Sequence, residues 1–153
     1  MTTLITRLKH LLSAAWARFQ FMLALSYRQF GNQYGLKEEY ERAIDAFNRA
    51  ISHDPDFAQA YLQRGILYWR EMDHPRKAII DLTAAYVLDP SLSEARFNRG
   101  VAHQQLREYA EAVADFEAYL KEGDHPHWRE YAETMIQELK EWTPNVNGGE
   151  SQP

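Results

Sequence analysis

Asp124-His125-Pro126-His127 is the densest group of potential ligands in this chain of 153 residues. Two imidazoles beside a carboxylate can approach a divalent metal. A tetrahedral site needs further ligands at fixed spacing, and a lone His-x-His in a proline turn does not supply them. The other histidines are scattered. The absence of cysteine rules out disulfides, thiolate zinc sites and cysteine nucleophiles. The sequence contains no glycine-rich phosphate loop, no nucleophile motif and no HExxH. Carboxylates cluster in stretches such as "KEEYER", residues 37–42. These read as helix starts and ion-paired helix faces, not as acid/base pairs. The chain is therefore expected to be no enzyme, with no cofactor and no metal.

The elements around these residues follow from composition and period. A hydrophobic fraction of 45% with 25% charge fits one soluble globular domain. The net charge of −5 hides an asymmetry. Residues 1–37 hold Arg7, Lys9, Arg18, Arg28 and Lys37 and no acid; the remainder holds 12 basic and 22 acidic residues. An acidic body argues against nucleic acid, since phosphate binding needs clustered cations. No uncharged apolar run is long enough to span a bilayer. The start, "MTTLITRLKHLLSAAWA", is basic and amphipathic, as targeting segments are. The pattern continues past Ala15-Trp16-Ala17, so the segment is read as part of the folded chain. A cytoplasmic protein, with or without peripheral membrane association, is the expectation.

Small residues recur in register. Gly31, Gly65 and Gly100 lie 34 and 35 apart; Ala43, Ala78 and Ala112 lie 35 and 34 apart; Phe47, Leu82 and Phe116 follow the same steps. Pro55 and Pro90 keep the register. Each unit holds two stretches with apolar residues three and four apart, hence two amphipathic helices. One such unit cannot bury its apolar face alone, so stacking and capped ends are required.

Read as motifs, the units run Tyr27-x2-Phe30-Gly31-x2-Tyr34, Ala43-x3-Phe47, Pro55, then Tyr61-x2-Arg64-Gly65-x2-Tyr68, Ala78-x3-Leu82, Pro90. A weaker third has Arg96, Arg99-Gly100, His103 and Ala112-x3-Phe116, with Pro126 two residues late. This pattern resembles the tetratricopeptide repeat family. The resemblance implies an all-α, right-handed solenoid of three helix-turn-helix repeats, at 24–57, 58–92 and 93–126. An amphipathic basic segment, 1–23, precedes the first repeat and runs into it as one helix of roughly 30 residues. A C-terminal capping helix is expected at 127–142 and a disordered tail at 143–153.

The leading half of the long helix carries an apolar stripe: Leu4, Leu8, Leu11, Leu12, Ala15, Phe19, Met22 and Leu23. Arg7, Lys9 and Arg18 flank it, and His10, Ser13 and Ala17 lie opposite. Three roles are open. The stripe caps the first repeat, docks with Trp16 on an anionic membrane or a membrane complex, or buries itself in a second copy, making a homo-oligomer.

The family resemblance further implies a non-catalytic protein-interaction adaptor, scaffold or assembly factor. Its first helices would line a concave groove that holds a peptide or helix of a protein partner. In this register the groove positions are Arg28 and Asn32; Gln59, Leu62, Gln63, Ile66, Trp69 and Arg70; and Glu94, Phe97, Asn98, Val101, Gln104 and Gln105. One subgroup of the family clamps acidic chaperone tails with cations in the first and third units. Arg28, Asn32 and Gln63 suit that clamp in part, whereas Glu94 and Asn98 stand where its cations belong. Leu62, Ile66, Trp69, Phe97 and Val101 would instead form an apolar strip for an amphipathic helix, unless neighbouring helices cover it. His103, at the site of a packing Tyr, is expected to be semi-buried.

Overall fold

The computed structural model describes residues 2–142; the tail expected at 143–153 lies outside them. The described residues form seven α-helices: α1 (Thr2–Tyr34), α2 (Lys37–His53), α3 (Ala58–Arg70), α4 (Pro75–Leu88), α5 (Ser93–Gln105), α6 (Tyr109–Glu122) and α7 (Pro126–Trp142). They contain no strand. The helices pair as hairpins α1/α2, α3/α4 and α5/α6, with α7 laid on the last. The fold is an all-α solenoid.

The turns follow local chemistry. Gly35 stops α1 in a left-handed conformation (φ +66°), and its N–H returns to the Gly31 carbonyl at 2.7 Å. Asp73 and Arg107 take the same conformation in the turns after α3 and α5. Pro75 and Pro126 open α4 and α7, where a missing N–H costs no helical bond.

The core is serial. Ala24, Phe47, Ala50 and Leu67 join α1, α2 and α3. Leu62, Ile66, Leu82 and Ala95 join α3, α4 and α5. Phe97, Phe116, Tyr119, Ala132 and Leu139 join α5, α6 and α7. Close approach requires glycine at the matched sites. A Cβ on Gly65 would stand 2.8 Å from Leu82 Cγ, and one on Gly100 would stand 2.8 Å from Phe116 Cε1.

One polar device recurs. Arg64 donates to both carboxylate oxygens of Asp81 at 2.7 Å and to Asn48 Oδ1 at 2.5 Å. Arg99 donates to both oxygens of Asp115, at 2.8 and 2.6 Å, and to Thr83 Oγ1 at 2.9 Å. Each guanidinium thus ties its own hairpin together and reaches the second helix of the preceding one. Asp81 and Asp115 are buried. Burial disfavours the Arg64 cation, yet its hydrogen bond and charge contact with Asp81 hold its pKa above the usual arginine value. In the first hairpin the matching positions are Phe30 and Ala46, both apolar.

α1 is continuous from the N-terminal stripe through the first hairpin and spans about 50 Å. The side that meets the body is Ala17, Gln20 and Ala24, all buried, with Ser13 donating to the His53 carbonyl at 2.8 Å. The apolar stripe therefore does not cap the first repeat. Leu4, Leu8, Leu11, Leu12, Phe19 and Met22 are each more than half exposed, as is Ile5. The small residues that permit close packing lie on the opposite side.

Asp81→Ala should lower unfolding stability by roughly 3 kcal/mol, because Arg64 keeps its charge in a site that no longer neutralises it. Arg64→Met combined with Asp81→Leu should cost less than the single change. Urea unfolding of the three proteins measures both.

Candidate functional site

The first helix of each hairpin, together with α7, lines one face. Side-chain bonds cross it from helix to helix. Arg28 on α1 donates to Gln63 Oε1 at 3.0 Å and, through Nη2 and Nε, to Glu71 Oε1 at 3.0 and 3.3 Å. Trp69 on α3 donates its indole N–H to Asn98 Oδ1 at 3.2 Å. Gln104 on α5 accepts from the Tyr131 hydroxyl of α7 at 3.1 Å. Asn98 Nδ2 turns back to the Glu94 carbonyl of its own helix.

The structure separates the residues expected to line a groove into two sets. Asn32, Gln59, Arg70 and Gln105 are exposed; Arg28, Gln63, Trp69, Glu94, Val101 and Gln104 are half-buried. Leu62, Ile66, Phe97 and Asn98 are buried. The expected apolar strip is therefore not an open surface, and the reason is packing by the next helices. Leu62 and Ile66 sit between α4 and α5. Phe97 is enclosed by the rings of Phe116, Tyr119, Trp128 and Tyr131, with Trp128 stacked on it at 5.1 Å. Phe97 is a core residue; its truncation reports on stability, not on a groove.

What remains is a polar face with few free cations. Arg28 is consumed by Glu71, whose side chain is only 8% exposed. The second oxygen of Glu71, Oε2, is buried with no hydrogen-bond partner. Glu94 stands on α5 where the acidic-tail clamp would need a cation. Burial pushes the Glu94 carboxyl above its ordinary value of 4.5, against the opposing pull of Arg28 and His125. Asn32 accepts from the Tyr40 hydroxyl at 3.0 Å. Around Arg28, two carboxylates thus face one guanidinium. Such a face takes hydrogen-bond donors and cations more readily than carboxylates.

Residues that suggested other chemistry have structural partners. His103 is half-buried and its Nδ1 lies 2.7 Å from Glu108 Oε2. His125 stacks on Trp128 at 4.6 Å between ring centroids. Among the described residues, no three His, Cys, Asp or Glu side chains converge on a metal position. Sequence reading missed Glu71 as the partner of Arg28. Its only signal was a carboxylate one residue past the end of a first helix.

Two family models match the chain, one for the "TPR repeat" over residues 31–71 and one for the "Tetratricopeptide repeat" over residues 70–125. A curated relative, "DnaJ homolog subfamily C member 7 homolog" of Dictyostelium discoideum, is 30% identical over 96 residues. That match covers 60% of this chain, which spans only 18% of the relative's length. Among solved structures, the first TPR of Spaghetti (RPAP3), bound to the HSP90 peptide SRMEEVD, superposes with a TM-score of 0.63 at 26% identity. It covers 78% of this chain and 95% of that one. The second TPR domain of human RPAP3, in complex with the HSP70 peptide SGPTIEEVD, gives 0.62 at 31% identity, covering 79% and 98%.

The raised pKa of Glu94 fixes the sign of a pH effect. A carboxyl that titrates higher in the folded chain favours folding when protonated. Its ionisation costs stability, so the penalty is absent below pH 4.5 and grows as pH rises through the folded value. Glu94→Gln should therefore raise the melting temperature at neutral pH, with the gain shrinking to nothing in acid. Thermal unfolding across pH measures it; a gain that persists in acid would place its cause elsewhere.

Proposed function

The chain belongs to the tetratricopeptide repeat family, and from that premise we propose a non-catalytic adaptor or assembly factor that holds a segment of a protein partner on the face of α1, α3, α5 and α7. One observation carries this reading. The helices α1, α3, α5 and α7 are bridged into a single face whose exposed groove-position side chains, Asn32, Gln59, Arg70 and Gln105, are all hydrogen-bonding groups. A rigid polar face of this kind orients a peptide through its backbone and polar side chains, and its partner choice lies in a few positions.

The RPAP3 domains hold chaperone peptides ending in EEVD. We place this chain in the same binding class with a different preference. The Arg28 cation is already neutralised by Glu71, and Glu94 would meet an incoming carboxylate with like charge. The segment held here is neutral or cationic. The N-terminal half of α1 serves as a separate dock, to a membrane or a membrane complex, so that the partner is brought to that site. A homo-oligomer joined through α1 is the second reading, favoured only by the exposure of the same stripe.

A labelled SRMEEVD peptide titrated onto the intact chain should show no saturable binding by fluorescence anisotropy. Glu71→Gln with Glu94→Lys frees Arg28 and supplies a second cation, so affinity for the peptide should rise by about tenfold or more. Tight binding by the unmodified chain would contradict the charge argument. Affinity purification with the intact chain and with Arg70→Glu/Gln59→Lys, both exposed positions, should then identify the client as the protein lost from the variant.

A further inference from the structure

The two sides of α1 differ in kind. At about 100° per residue, Leu4, Leu8, Leu11, Leu12, Trp16, Phe19 and Met22 share an arc of roughly 140°. The arc is solvent-exposed, with Leu4 at 73% and Leu11 at 68%. Its centre lies about 140° round the helix from Ala17, Gln20 and Ala24, which meet the body. Arg7 and Arg18 border one edge of the arc and Lys9 the other. Residues 1–37 contain no acid. Ser13 is level with His53, the last residue of α2, so residues 3–12 reach past the hairpin by about 15 Å.

A second copy fits this surface poorly. Two stripes face to face would bring Arg7, Lys9 and Arg18 together with no carboxylate on either helix to meet them. The peptide face of another copy offers no seat either, since its apolar residues Leu62, Ile66 and Phe97 are already buried. An anionic lipid surface fits all three features. Acyl chains take the apolar arc, headgroup phosphates meet the cations on both edges, and Trp16 lies at the border beside Lys9. Because the body packs on the opposite side of α1, its acidic surface is held away from the like-charged membrane. No described helix is long and apolar enough to cross a membrane, which agrees with a helix lying in the interface.

We propose that residues 3–22 of α1 form an interfacial helix that binds anionic phospholipid directly, with Leu4, Leu8, Leu11, Leu12, Phe19 and Met22 inserted and Arg7, Lys9 and Arg18 on headgroups. This rests on the docking role given to α1 above and names its partner as lipid. The test is co-sedimentation of the intact chain with vesicles of phosphatidylcholine, with and without phosphatidylglycerol. The chain should pellet with the anionic vesicles and much less with phosphatidylcholine alone. Each of Arg7→Gln, Lys9→Gln and Arg18→Gln should weaken binding about fivefold, and Leu8→Glu with Leu12→Glu should abolish it. Both leucines are exposed, so an unchanged circular dichroism spectrum should accompany the loss. No pelleting with anionic vesicles, or pelleting indifferent to these variants, overturns the proposal. A stripe-dependent dimer by light scattering overturns it in favour of self-association. Binding to native membranes but not to pure lipid overturns it in favour of a membrane complex and leaves the docking role standing. Client capture by the Leu8→Glu/Leu12→Glu protein reads the peptide face separately, so failure of the lipid assay does not touch the adaptor reading.

Discussion

A guanidinium held by both oxygens of a buried carboxylate, and by one group from the preceding hairpin, is the interaction that sets the register of the stack. It occurs at Arg64–Asp81–Asn48 and again at Arg99–Asp115–Thr83. Apolar packing brings the helices together but tolerates sliding. A planar fork with fixed donor directions does not. The glycine beside each arginine lets the facing side chain approach, as Leu82 does to Gly65. The Arg-Gly dipeptide thus combines a polar lock with a close contact at one level of the helix. The face lined by the first helices shares this lock through α3 and α5, which carry Arg64 and Arg99.

The architecture was legible because its causes are local and periodic. Gly31, Gly65 and Gly100 mark where backbones approach, and Pro75 and Pro126 open helices. What was not legible concerns which side of a helix neighbours cover. Leu62, Ile66 and Phe97 sit at positions that face a groove in the family register, yet α4 and α5 enclose the first two and α6 and α7 the third. The spacing rules place a residue on an arc but do not give the height of the wall beside it. Arg64 and Arg99 each stand one residue before a register glycine. Each has an Asp, 17 or 16 residues later, that makes it a structural pair. That spacing was present in the sequence and invites recognition only once the pairing of α3 with α4 and of α5 with α6 is known.

The stripe on α1 shows the opposite case. Its apolar residues and its flanking cations were evident from the sequence, whereas the direction it faces was not. Small residues, Ala17, Ala24 and Gly31, win the contact with α2 because they allow a short interhelical distance. The bulky residues of the stripe are left outward, while Phe21, Leu25 and Tyr27 pack at the margin of the core. Two surfaces of different chemistry thereby occupy two sides of the chain: a polar face across the first helices and an apolar arc turned away from the body. Neither requires the other to rearrange.

The first hairpin lacks the ionic device of the other two, having Phe30 and Ala46 in place of an arginine and an aspartate. Dehydrating a buried ion pair becomes less costly on warming, while apolar association gains little beyond room temperature. In a linear stack each unit's stability depends on itself and its neighbours. Heat should thus act unequally along the solenoid, with the amino-terminal hairpin losing ground before the two ion-paired hairpins. The expected direction of melting runs from the end that carries the long helix toward the end that carries α7.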